Sequence, residues 1–482
     1  MRKKFNFRKY TAIVMVAVAA LNSGCEKYLV NTEFPANTID GSSVYESDYT
    51  TSAVLTSVLI TMSESGPFNF TAGGNFSFTS GLYTDELKSL KVGEFPDMYY
   101  KNAIQSGESP HWSALYSKVF VINAAIEGIE ESKANLVNRN QWLGEAYFLR
   151  AFSYFYLTNI YGDVPLALTT DFRKNNTLSR APQSAVYQQI ISDLKQAQTL
   201  LGDDYRDGYG APSNNRVRPN KAVATALLAR VYLYTKDWAN AEAQATEVIS
   251  DAKYKLVLLE QVFLTSSAET IMALAPNSPQ VAPGYNFYNK GMPVEIRSTQ
   301  NPASFGVFAE LSEWMLNKFE ANDARYSSWV RSSTVLESAT APARTYYFPN
   351  KYKSSANNAE YDVLFRLAEQ YLIRAEARAM QNKDGAAADL NAVRTRAGLS
   401  NATATGQQEL LDAITKERQT ELFTEGGHRF FDLKRTGTID AVMNIVAPTK
   451  PTTWQSYMAL WPLPPSDLAQ NPNLTPNPGY LK

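Results

Sequence analysis

The sequence predicts a mostly α-helical protein: helix pairs stacked into one large body, with an irregular, loop-rich flank carrying few short strands. Three observations lead there. Apolar residues recur at helical spacing over much of the chain. The stretch GEAYFLRAFSYFYLTNIYGDVPL (144–166) concentrates seven rings, Tyr147, Phe148, Phe152, Tyr154, Phe155, Tyr156 and Tyr161, before a Gly-Asp-x-Pro stop. Residues 256–355 lose the periodicity to Pro, Gly, Asn and aromatics, as in APNSPQVAPGYNFYNKGMP. A length of 482 residues exceeds what one small core organises, so several domains or one repeat-built body are expected. Apolar content of 44% excludes a wholly disordered chain, and a net charge of −1 gives no reason to expect nucleic acid.

Taken in order, residues 1–24 read as a secretory signal. Arg2, Lys3, Lys4, Arg8 and Lys9 precede an apolar run over 12–21 that is too short to span a bilayer, and Asn22-Ser23-Gly24 follows. Cys25 is the sole cysteine, so no internal disulfide is available. Its place after the signal resembles the lipidation site of a bacterial lipoprotein, although Asn22 stands where the usual motif has Leu. The bland reading is a soluble exported protein with an incidental thiol. Removing residues 1–24 takes away five basic side chains and no acidic ones, moving the formal charge from −1 to −6. Residues 25–41 are polar and aperiodic and read as a tether.

An N-terminal helical part spans 42–255. Helices are expected over 44–63, 111–131, 141–161 and 182–201, with a loop over 66–78. In 141–161, Phe148, Phe152 and Phe155 share one face, flanked by Tyr147, Ala151, Tyr154 and Leu157. An arc that wide belongs between two neighbours, so the rings fill space rather than form a ligand platform. Gly162 is placed for a left-handed C-terminal cap, and Pro165 prevents resumption. Residues 218–250 give a helix pair, with Pro219 near the first start and Asp237 placed to cap the second. Leu228, Ala229, Tyr232 and Ala241 suit tetratricopeptide spacing, and the small residues Ala226, Ala229, Ala241 and Ala245 permit close approach. Such units bury their faces only by stacking. Residues 256–355 form the variable flank, with one helix expected over 308–319. A C-terminal part over 356–482 carries a second pair over 364–397, a helix over 409–423 and a tail with six prolines after residue 460, expected to lie extended.

Catalytic patterns are sparse. His111 and His428 are the only histidines, too few for a multi-histidine metal site. No G-x-S-x-G, Walker loop or G-x-G-x-x-G occurs. Asp203, Asp204 and Asp207 in DDYRDGYG (203–210) suggest a calcium loop but lack EF-hand spacing, and a solvated acidic turn is the better reading. Glu417, Arg418, Glu421, Glu425, Arg429, Asp432 and Arg435 alternate in charge; they read as an ion-pair clamp. Neither cofactor nor metal is expected.

Six segments, in order, resemble the SusD/RagB family of outer-membrane lipoproteins. They are 144–166, RPNKAVATALLARVYLYTKDWANAEAQA (218–245), YDVLFRLAEQYLIRAEARA (361–379), AAADLNAVRTRAGL (386–399), ITKERQTELFTEGGHRFFDLKRTG (414–437) and LWPLPPSDLAQNPNLTPNPGY (460–480). The resemblance implies tetratricopeptide units on one side and an irregular ligand-binding side. It also implies a lid-like role: anchored through lipid on Cys25 and exposed at the cell surface, the protein would capture oligosaccharide, or in some members peptide, for a partner TonB-dependent, SusC-like transporter, without catalysis. From the residues themselves, two loops mix rings with amides as sugar recognition requires. One is 93–102, with Phe95, Tyr99, Tyr100 and Asn102. The other is 284–291, with Tyr285, Asn286, Phe287, Tyr288 and Asn289. A lipid-anchored glycoside hydrolase and a ligand-free helical scaffold are the competing classes.

Overall fold

The computed structural model describes residues 41, 43–69, 74–91, 93–276, 279–288, 295–296, 306–336 and 342–480. The signal, Cys25, the tether up to residue 40 and Asn289 lie outside them. Helix α1 (Asp48–Glu64) starts where Ser47 accepts a hydrogen bond from the Thr50 amide. Then come α2 (Phe76–Tyr83), strand β1 (Leu87–Ser89) and α3 (Phe95–Tyr100). The helical body is built from α4 (Pro110–Glu131), α5 (Arg139–Tyr161), α6 (Gln183–Leu200), α7 (Lys221–Tyr234) and α8 (Trp238–Ser250). The flank carries β2 (Thr270–Leu274), α9 (Pro283–Tyr288), β3 (Glu295–Ile296), β4 (Ala309–Leu311), β5 (Val330–Leu336), β6 (Ala343–Pro349) and β7 (Asp362–Arg366). The chain returns to helix in α10 (Leu367–Met380), α11 (Ala386–Arg396), α12 (Gln407–Leu422), α13 (His428–Arg435), α14 (Ile439–Val446) and α15 (Pro465–Gln470).

Packing follows a nearest-neighbour order: α4 on α5, α5 on α6, α6 on α7, α7 on α8, α8 on α10, and α10 on both α11 and α12. That serial contact is what stacked helix pairs produce. The mostly helical fold with few short strands is therefore what the periodicity predicts. Alanines make the approach close: Ala226, Ala229, Ala241 and Ala245 are fully buried. Asn220 and Asp237 cap α7 and α8 through their side-chain oxygens.

The rings of 144–166 are core. Phe148, Phe152, Tyr154, Phe155, Tyr156 and Tyr161 are buried, and only Tyr147 reaches the surface, where its hydroxyl donates to Glu130. Phe152 lies 5.1 Å from Phe68, 5.8 Å from Phe148 and 5.7 Å from Phe365. Buried hydroxyls find acceptors, Tyr154 on the Ala167 carbonyl at 2.7 Å and Tyr156 on that of Gly426 at 3.1 Å. Gly162 ends α5 with φ +78° and ψ −124°, a positive-φ stop but not the left-handed helical cap expected.

Three expectations are corrected. Residues 76–78 belong to α2 rather than a loop; Asn75 caps a helix of eight residues, too short and too uniformly buried to show a period. Residues 309–311 are strand, because they pair antiparallel with β1, Leu87 opposite Leu311 and Ser89 opposite Ala309; only a single helical turn, Glu313–Leu316, follows. A partner distant in sequence overrides local propensity there. Residues 364–366 finish β7, paired with β2, before α10 begins. The proline-rich tail is extended apart from α15. The Trp461 amide donates to the Ile160 carbonyl, and the Asn477 side chain donates to those of Tyr161 and Trp461.

Candidate ligand-binding flank

Helix α2 organises the two segments read as ligand loops. Both are short helices, α3 and α9, and both sit on α2. The Asn102 amide donates to the Tyr83 carbonyl at 2.7 Å, at the C-terminal end of α2. Phe287 and Tyr288 pack on Phe78 with centroids 5.5 Å and 6.0 Å away. Pro96 in the first turn of α3 and Pro283 at the start of α9 explain why sequence alone suggests loops. Gly284 is needed for the seat of α9: a Cβ there would come within 2.4 Å of the Tyr352 ring.

The eight of these residues that the structure describes divide by burial. Tyr99, Asn102, Phe287 and Tyr288 are buried; Tyr99 lies 5.5 Å from Trp461. The expectation that they contact ligand directly conflicts with that placement, because aromatic density marks packing as readily as stacking. Phe95 is 39% exposed, and Tyr100, Tyr285 and Asn286 are half-buried. Near Tyr100 two buried charged groups lie beneath the surface. Lys450 Nζ lies 5.1 Å from the Tyr100 ring centroid, and Glu310 accepts from Arg344 at 2.6 Å. Burial, with Glu310 and Asp97 adding, raises the Tyr100 hydroxyl above its ordinary pKa, so it stays a donor. Beside α9, Asp362 is pushed up to about 7 by burial, against the Tyr352 hydrogen bond, and Glu86 up to about 8 by burial and by Asp85.

Beneath the flank lies the ion-pair clamp, larger than 417–435 suggests. Arg366, ending β7, meets Glu269, Glu421 and Glu425 at 3.0, 2.5 and 2.7 Å. Arg325 meets Glu417, Glu421 and Asp323 at 2.6, 2.9 and 2.9 Å. Lys351 pairs with Glu425, and Arg396 with Glu269 and Glu421. Arg418 and Arg435 share Asp432, and Arg429 reaches Asp85. Burial alone would raise Glu421, but Arg396, Arg366 and Arg325 outweigh it and hold the carboxyl well below the usual range. The partners Glu269, Arg325, Lys351 and Arg366 lie far off in sequence, so spacing carries no sign of them.

Neither histidine is placed for catalysis. His111 is buried between Phe76 and Trp461, and burial lowers its pKa to about 3. His428 is held neutral by burial, with Arg230 and Arg418 adding. Asp207 spends its carboxylate on the amides of Tyr209 and Ala211, as an acidic turn does. Among the described residues, no group of three His, Cys, Asp or Glu side chains is placed to hold a metal, and no helix is long and apolar enough to cross a membrane.

Comparison with known proteins resolves the family. A family model described as starch-binding and associating with the outer membrane matches residues 43–233, and the SusD family model matches residues 282–480. The chain belongs to the SusD/RagB family. SusD-like protein P2 of Formosa agariphila is 27% identical over 77% of this chain and 80% of its own length. The starch-binding protein SusD of Bacteroides thetaiotaomicron is 24% identical over 70% and 72%. Among solved structures, a SusD superfamily protein of Bacteroides vulgatus superposes with TM-score 0.72, 21% identity and coverage of 90% and 100%. A laminarin-binding SusD-like protein gives 0.70, 24%, and 90% and 99%. These structural likenesses show that the chain has the SusD fold over about 90% of its length.

Proposed function

We propose that this chain is a cell-surface, lipid-anchored glycan-binding protein that captures oligosaccharide and delivers it to a partner TonB-dependent, SusC-like outer-membrane transporter. The observation that carries the reading is the pair of family matches, which together cover residues 43–233 and 282–480, all of the stack but α8 and the end of α7, and most of the flank. Relatives named for starch and laminarin binding favour a glycan over a peptide. The protein acts by binding; lipid on Cys25 holds it at the membrane.

Recognition falls to the exposed Phe95 and the half-buried members of the two segments. Phe95 and Tyr285 offer ring faces to sugar C–H groups, and Asn286 and the Tyr100 hydroxyl bond to sugar hydroxyls. Tyr99, Asn102, Phe287 and Tyr288 support them from below. The test is calorimetric titration of the protein with starch- and laminarin-derived oligosaccharides and with peptides. Saturable glycan binding, weakened by Tyr285→Ala and Phe95→Ala, is expected. Binding to peptides alone would make it a peptide-capturing member. Release of reducing ends by the purified protein would make it a hydrolase. Cys25→Ala should move the protein from the membrane to the soluble fraction.

A further inference from the structure

An open cleft of about 230 Å³ lies where α4 meets the segment after α5 and the C-terminal tail. It shares no lining residue with the flank. Trp112, Tyr116 and Phe120 line it from one face of α4, spaced four residues apart, as a helix stacks them. Phe120 is 51% exposed, unusual for so large a ring. Asn176 and Gln470, both exposed, and Asp467 also line it.

The walls are fixed before anything binds. Trp112 Nε1 donates to Asp467 at 3.2 Å, tying helix to tail. The Tyr116 hydroxyl donates to the Pro165 carbonyl at 2.7 Å, and the Asn123 amide to that of Ala167 at 2.9 Å. Asn471 ties the tail to the Leu178 carbonyl at 2.8 Å.

The chemistry of the lining selects the class of ligand. Among the described residues, no Lys or Arg lines the cleft, and Asp467 is its one carboxylate. Anionic ligands, nucleic acid included, therefore find no counter-charge. The exposed amides of Asn176 and Gln470 supply donors and acceptors for neutral hydroxyls, and Phe120 with the half-buried Tyr116 supplies an apolar face, Trp112 itself being buried. Two other clefts differ: one is lined by Arg216 and Lys253, the other by Arg206 and Arg218. We infer that the α4–tail cleft is a second binding site, for a neutral oligosaccharide, separate from the flank. It rests on the glycan-binding reading above only for the choice of probe.

The test is hydrogen–deuterium exchange of the full chain with and without maltoheptaose or laminariheptaose. Protection is expected over residues 112–123, 165–176 and 467–474. Phe120→Ala, at an exposed position, should weaken binding there roughly tenfold while leaving protection of the flank unchanged. Asn176→Ala should do the same to a smaller degree. Protection confined to α3 and α9 would overturn the second site and leave the proposed function standing. Protection of the cleft alone would keep the site and remove the flank reading. Absence of protection everywhere would overturn both. Protection of the cleft by added transporter but not by sugar would make it a protein-docking face and overturn the inference.

Discussion

The helical stack and the seam beneath the flank are closed by opposite chemistry. From α4 to α7, and where α7 meets α10, the interfaces are rings and alanines, with buried ion pairs used singly: Arg150 with Asp193, Arg218 with Glu145, and Arg230 with Glu369. Only at the half-exposed α8–α10 edge does Arg378 bridge two carboxylates, Glu242 and Asp389. In the seam, by contrast, Arg325 and Arg366 each touch three carboxylates. The difference has a physical source. Serial helices present matching apolar faces to neighbours a few residues on, and apolar contact suffices. The seam joins strand ends, a loop and two helices whose partners are remote and whose faces are irregular. Directional charge pairs fix such a junction in one arrangement more sharply than apolar contact does, at a desolvation cost that only a fully paired network offsets.

Two substitutions of equal size break this comparison most directly. Glu421→Ala leaves Arg325, Arg366 and Arg396 short of a partner and should cost about 3–5 kcal/mol at pH 7. Phe152→Ala empties ring volume in the stack and should cost about 3–5 kcal/mol as well. Urea denaturation across pH separates them. The folded pKa of Glu421 lies below its ordinary 4.5, so its contribution is complete above that value and drains away as pH falls beneath it. The deficit of Glu421→Ala should therefore shrink in acid, while that of Phe152→Ala stays constant. Equal pH responses would erase the distinction.

Glu86 sharpens the contrast from the other side. Its pKa is raised from 4.5 to about 8, so between those values the folded protein holds a proton that the unfolded chain releases. Stability should decline as pH rises through that window, by on the order of 1 kcal/mol for each pH step of one. Glu86→Gln should flatten the decline. Smaller still, Tyr147→Phe removes the hydroxyl that donates to Glu130 at the stack's exposed edge and should cost about 0.5–1.5 kcal/mol. Least of all, Phe95→Ala should leave stability within about 0.5 kcal/mol of the parent while weakening glycan binding; a large loss would place Phe95 in the core rather than the ligand surface.

What the sequence discloses follows the same division. The burial of the rings of α5 and the α7–α8 pair are legible because their signals are local: spacing, caps and small residues close together in the chain. The clamp is legible as pairing, since Arg418, Arg435 and Asp432 lie near one another in sequence. Its reach is not, because Glu269 and Arg366 come close only through the β2–β7 pairing. In α2, α3 and α9 the helices are too short to display a period. Tyr99, Phe287 and Tyr288 resemble ligand contacts in sequence because ring-rich loops and ring-rich cores share one composition. The α4–tail cleft leaves no trace there, as Phe120 sits inside a helical pattern that reads as packing.

Helix α2 bears on how tightly the flank could grip. Phe76 at its start is wedged among Tyr156, Phe431, His111 and Trp461, so the platform under α3 and α9 is bolted to the deepest part of the molecule. A receptor surface assembled on such a footing surrenders little conformational freedom when occupied, and most of each contact's energy survives as affinity. The cost is adaptability. A guest with a different curvature would meet a rigid host.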